Sequence, residues 1–136
     1  MPAGYSGRPL AAKMGLKPTQ RLWRRGMPES VAAQIEAEMP GLAFLREPAA
    51  PLDVAHIFTT SRVELEAEVG RLRPLLAPAG MIWVSSPKKA SKMPTDITED
   101  TVREIAFPHG LVDVKVCAVD ETWSGLKLVV RKALRR

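Results

Sequence analysis

A chain of 136 residues with one cysteine and a net charge of +5 has room for a single domain, and a domain of that size buries roughly two-thirds of its unfolded surface without a covalent staple. The lone Cys117 rules out an internal disulfide and a thiolate zinc cluster. No apolar run approaches the ~20 residues that span a bilayer, and no charged flank precedes an apolar core at the N-terminus, so a cytoplasmic protein is expected.

Residues 1–20 place Gly4, Gly7, Gly15, Pro2, Pro9 and Pro18 among polar residues, which leaves space for one helical turn near Leu10 to Met14. They read as an arm over the domain, anchored by Tyr5, Leu10 and Leu16, with the domain itself over 21–136. Gln20 to Arg24 predicts a short strand. Pro28 opens a helix, and Val31, Ile35 and Met39 give it a narrow apolar stripe until Pro40 and Gly41 stop it. Leu42 to Leu45 predicts a second short strand. Leu52 to Thr59 is apolar enough for burial on both faces, which indicates a parallel sheet.

Ser61 and Glu64 form a capping box at the head of a helix carrying Leu65, Val69, Leu72 and Leu76. Pro78 and Gly80 are expected to end that helix and lead into a strand over Met81 to Ser85. A third helix is predicted from Thr98 to Phe107, with Val102, Ile105 and Ala106 facing inward. Leu111 to Val119 alternates, with Val112, Val114, Val116 and Ala118 on one side. After a turn over Asp120 to Ser124, Gly125 to Arg131 alternates again, so the last two runs make a β-hairpin.

This order predicts a single open, mostly parallel twisted α/β sheet with helices on both faces and a C-terminal antiparallel hairpin, its strands in spatial order 2-1-3-4-6-5. It resembles a shortened class I methyltransferase (Rossmann-like) fold, most closely over Leu75 to Val84 and in the terminal hairpin. The link from Leu45 to Leu52 is too short for a crossover helix, so one strand-helix unit of the full fold is absent. The chain also resembles a bacterial family of uncharacterised proteins, domain of unknown function three-zero-five-two. Gly4 to Gly7 with Pro9 and Leu10, Pro51 to Val54, Ser85 to Lys89, Thr95 and Asp96 with Glu99 and Asp100, and Leu111 through Leu128 carry that likeness. It implies the fold and a bacterial cytoplasmic setting but no activity. Arg21 to Arg25 departs from the apolar first strand and small-residue turn usual there.

Ligands of open α/β sheets bind outside the carboxyl ends of the strands. There, Ser85, Ser86, Lys88 and Lys89 can hold a phosphate or carboxylate by hydroxyl donors and point charges. Thr59, Thr60 and Ser61 end the neighbouring strand and can complete such a site, although capping alone accounts for Ser61. Trp123, with Ser124 and Lys127, can stack on a flat ligand or anchor a partner; a lid on its own domain accounts for the tryptophan equally well.

A nucleotide-type cofactor needs a glycine-rich turn after the first strand. Arg24 to Glu29 offers one glycine between arginines and a proline, which speaks against adenosylmethionine-dependent methyl transfer, and no cofactor is expected. His56 reads as a hydrogen-bonded core residue and His109 as the end of a helix. Neither has a partner at metal-ligand spacing, so no metal is expected either. Asp96, Glu99 and Asp100 complement a helix dipole. The leading expectation is therefore a non-catalytic binding or regulatory module for a small anionic ligand or a protein partner. The alternatives are a small transferase or hydrolase acting on a phosphorylated or carboxylated substrate, and nucleic-acid binding through basic groups. Arg21, Arg24 and Arg25, Lys88, Lys89 and Lys92, and Arg131, Lys132, Arg135 and Arg136 are those groups. The scarcity of aromatic residues and the lack of an RNP-like or helix-turn-helix pattern weigh against nucleic acid.

Overall fold

A computed structural model describes residues 9–135; Tyr5, expected to anchor the arm, lies outside them. Among the described residues six strands form one sheet: β1 (Arg21–Arg25), β2 (Ala43–Phe44), β3 (Leu52–Phe58), β4 (Leu76–Pro87), β5 (Leu111–Ala118) and β6 (Trp123–Val130). Their spatial order is β2-β1-β3-β4-β6-β5, as the sequence predicts. The first four run parallel, and the hairpin joins with β6 antiparallel to β4 and to β5.

Helices α1 (Leu10–Lys13) and α2 (Glu29–Glu38) cover one face, and α3 (Arg62–Leu72) and α4 (Glu99–Ala106) cover the other. Two cores result. Leu10, Met14, Val31 and Ile35 pack on Leu22, Val54, Phe58 and Trp83. On the other face, Leu65, Val69, Leu72, Val102 and Ile105 pack on Ala55, Ile57, Ile82, Val84, Leu126 and Leu128. β3 contributes to both, which is why its sequence is apolar almost throughout. Leu10 and Leu16 are buried, and the Trp83 indole Nε1–H donates to the Met14 carbonyl at 3.1 Å, tying the end of α1 to the sheet.

Four elements depart from expectation. α3 stops at Leu72, not near Pro78, because Pro74 falls in a following 3₁₀ turn over Arg73–Leu75. β4 therefore begins at Leu76 and absorbs Pro78 and Gly80 beside a register shift against β3. At its other end β4 continues to Pro87, so Ser86 and Pro87 belong to the strand. In β5 the residues Val114 and Val116, expected on one apolar side, are 56% and 48% exposed. β5 is an edge strand whose register slips between Asp113 and Lys115, and that slip breaks the alternation. Finally, Trp123 and Ser124 belong to β6 and not to the preceding turn. Asp120 closes that turn, its Oδ1 accepting from the Thr122 and Trp123 N–H groups, each at 2.8 Å.

Candidate functional site

At the carboxyl end of β4 the sheet leaves a cleft of about 550 Å³ between β4, β6 and the first turn of α4. Its floor is apolar: Val84 and Leu126 from the sheet, Ile97 and Val102 from the α4 side. Ser86 and Ser124 face each other across the β4–β6 ladder and both line the cleft. Among the described residues neither hydroxyl has a hydrogen-bond partner, and the Lys88 and Lys89 ammonium groups have no carboxylate partner. The loop that carries the lysines is fixed by its backbone. The Lys88 N–H donates to the Thr122 carbonyl at 2.8 Å, and Ser91 Oγ donates to the Lys88 carbonyl at 2.7 Å.

The opposite wall is the start of α4. Thr98 caps that helix by accepting from the Thr101 N–H. Arg103 is held by three carboxylates: Glu99 at 3.1 Å, Asp100 at 3.1 Å and Asp113 at 3.0 Å. The hydrogen bond to Asp113, above the other contacts, raises the guanidinium pKa further beyond its usual value. Glu99 and Asp100, read from the sequence as dipole complements alone, thus also line the cleft. What the sequence lacked was the fold, which lays α4 across β4 and β6. The signal was present as a pair of acidic residues in the first turn following the lysine loop.

Of the residues singled out in the sequence, Ser86, Lys88, Lys89 and Ser124 come together here. Ser85 does not. Side chains alternate along a strand, so Ser85 points to the α1/α2 face, with no exposed surface, where its Oγ lies 2.7 Å from His56 Nε2. His56 is the hydrogen-bonded core residue its sequence context suggested. Burial lowers its pKa from 6.5 to about 3, and the ring is neutral. Gly125 opposite completes this packing: a Cβ there would lie 3.0 Å from the Trp83 ring and 3.3 Å from Ser85 Oγ.

The Thr59 and Ser61 side chains make structural hydrogen bonds, and Thr60 makes them through its backbone carbonyl. Ser61 Oγ accepts from the Glu64 N–H at 3.2 Å, as a capping box requires. The Glu64 carboxylate, however, turns to the Thr59 hydroxyl at 2.8 Å and to Arg25, not back to the Ser61 N–H, which donates to Thr59 Oγ1 instead. Those partners, the Thr59 hydrogen bond first, lower the Glu64 pKa. The Thr60 carbonyl accepts from the Asp96 N–H and the Thr95 hydroxyl.

Trp123 and Lys127 lie on the face opposite the cleft. Trp123 packs edge-on against Phe58, with ring centroids 5.2 Å apart. The Lys127 ammonium sits by Gly15, its pKa lowered by burial and then by Lys115. His109 ends a 3₁₀ turn, and its carbonyl accepts from Arg73 Nε. Burial raises the Cys117 pKa. The turn after β1 holds its one glycine at φ +68°, where a Cβ would lie 2.7 Å from the Phe58 carbonyl oxygen. Gly26 is thus required by the chain's own packing against β3. Among the described residues no group of three or more His, Cys, Asp and Glu side chains is placed to hold a metal ion. No helix there is long and apolar enough to cross a membrane.

The sequence matches no family model and no curated protein. Solved structures share its fold. A precorrin-6y C5,15-methyltransferase from Geobacter metallireducens aligns over 89% of this chain and 85% of that chain, with TM-score 0.61 and 12% identity. A putative methyltransferase from Thermoplasma acidophilum aligns over 86% and 70%, with TM-score 0.59 and 8% identity. Human N-acetylserotonin methyltransferase, solved with SAM, aligns over 82% and 48%, with TM-score 0.61 and 10% identity, so this chain spans about half of that protein. At such identities the likeness concerns the fold alone: a six-stranded, methyltransferase-like Rossmann sheet.

Proposed function

We propose that this chain is a non-catalytic binding module that takes a small anionic ligand in the cleft between β4, β6 and α4. The observation that carries this reading is the pair of uncompensated ammonium groups, Lys88 and Lys89, beside two unbonded hydroxyls, Ser86 and Ser124, above an apolar floor. Most small-molecule sites combine an apolar surface with a few convergent polar groups in this way. The binder reading is supported by His56 and Ser85, which contact each other inside the core and away from the cleft, where neither can reach a substrate. The likeness to the bacterial family of domain of unknown function three-zero-five-two, and a cytoplasmic setting, belong to the same proposal.

The fold neighbours raise adenosylmethionine as a ligand. The turn after β1 argues against it. The space at Gly26 is closed by the Phe58 carbonyl, and Pro28 stands at the head of α2 without an N–H to offer. The cleft itself lies at β4 and β6, with β3 between it and β1. No step is assigned to that cofactor.

The test is a thermal-shift screen of inorganic phosphate, glycerol 3-phosphate, AMP, acetate and adenosylmethionine, repeated with Lys88→Ala/Lys89→Ala. A ligand at a hundredfold excess over its Kd adds about 2.7 kcal/mol to stability, a shift of several degrees. At least one phosphate compound should raise Tm in the native chain and not in the double variant. An unresponsive native chain, or an equal shift in both proteins, would sink the proposal. So would adenosylmethionine binding that survives the double variant. Product formation from any phosphate ester would replace the binder with the transferase or hydrolase reading.

A further inference from the structure

The cleft is charged oppositely on its two walls. On the strand side stand Lys88 and Lys89. On the helix side Glu99 and Asp100 share the guanidinium of Arg103, which leaves that wall with a net charge of −1; Asp113 of β5 holds the same guanidinium but does not line the cleft. Each of Glu99 and Asp100 gives Arg103 one carboxylate oxygen, and both residues line the cleft. A simple anion gains from the lysines and is repelled by the far wall. A ligand with an anionic end and a cationic end satisfies both, and the apolar floor between the walls suits a short carbon spacer.

We infer that the ligand class is dipolar: a small phosphate or carboxylate that also bears an amine, its anionic end at Ser86, Lys88 and Lys89 and its ammonium at Glu99 and Asp100. This deepens the anion-binding proposal and rests on it. The walls act together as a selectivity device, because the acidic wall weakens, without abolishing, the binding of anions that lack a compensating positive charge.

Isothermal titration at low ionic strength with O-phosphoethanolamine, glycerol 3-phosphate and inorganic phosphate tests it. O-phosphoethanolamine should bind about tenfold or more tightly than glycerol 3-phosphate, a gap typical of one added charge-assisted contact. Glu99→Gln/Asp100→Asn should erase the gap and leave phosphate binding intact or tighter, with circular dichroism confirming that α4 persists. The charge-conserving Glu99→Asp should keep most of it. Equal binding of all three compounds, or a preference that survives Glu99→Gln/Asp100→Asn, overturns the dipolar assignment while the anion site stands. If none of the three binds, both readings fall together.

Discussion

His56 and Ser85 show how much of this chain depends on single buried polar contacts. The imidazole lies fully inside the α1/α2 core, stacked on Phe58 at 4.4 Å, with Nε2 bonded to Ser85 and Nδ1 without a partner. A proton added there creates a buried charge with no counter-ion. The folded-state pKa, about 3, lies below the unfolded value of 6.5. Between those limits the unfolded chain binds the proton better, so stability is complete above pH 6.5 and declines as pH falls toward 3. Integration gives a loss of about 2 kcal/mol between pH 7.5 and pH 5. Urea unfolding at the two pH values should show that loss in the native chain and a much smaller one in His56→Gln, which can keep a bond to Ser85. Equal losses in the two proteins would contradict this account of the histidine. The core role of His56 was legible in the sequence because a histidine amid apolar strand residues has few other fates. The fate of Ser85 was not. Ending the strand at Ser85 and grouping Ser85, Ser86, Lys88 and Lys89 as one anion-binding set hid the strand pairing that runs on to Pro87, and alternation then sends Ser85 inward and Ser86 to the cleft.

Among the elements, those whose ends carry their own chemistry were legible. The head of α3 is the clearest case: Ser61 caps it, and Thr59 and Arg25 hold the Glu64 carboxylate above it. Ser61→Ala should cost about 1 kcal/mol, the usual value for losing an N-cap hydroxyl, measurable as a drop in the urea midpoint with unchanged slope. Ser61→Asp should restore most of it, since aspartate caps equally well. If Ser61→Ala is neutral, Thr59 and Glu64 alone organise this helix start. Elements set by distant partners were harder to read. Nothing local in Leu76 to Gly80 distinguishes a frayed helix end from the first residues of β4; pairing with β3 decides it. Val114 and Val116 have the alternation of a buried strand, and only the edge position of β5 and the slip beside Asp113 leave them in solvent. The acidic wall of the cleft was missed for the same reason, since a helix start looks alike in sequence whether it faces water or a cleft.

For the molecule as a whole, the strand order was legible because hydrophobic runs, helix caps and a short link constrain the topology. The distribution of charge was not, because it depends on which side chains meet. The net charge of +5 suggests a polyanion surface, but the fold disperses it. Arg25 pairs with Glu64 and Glu68, Arg62 with Glu66 and Glu104, Arg71 with Glu68, and Arg103 with three carboxylates. Arg21 donates to the Pro51 and Ala49 carbonyls, and Arg24 and Arg131 lie over the Phe44 and Phe107 rings. Lys88, Lys89 and Lys92 are the local group whose ammonium ions have no such partner among the described residues. Each phosphate neutralised on duplex DNA contributes about 0.9 to the slope of log Kobs against log salt concentration. Acting alone, the three lysines give a slope of magnitude about 3, with affinity largely gone at physiological salt. Fluorescence anisotropy of a labelled duplex from 20 to 200 mM salt (on the order of a tenfold range) reads this directly. A slope of about 6 or more would require the arginine groups to act with the lysines as one surface, and nucleic acid would then displace the small ligand as the partner this fold is built to meet.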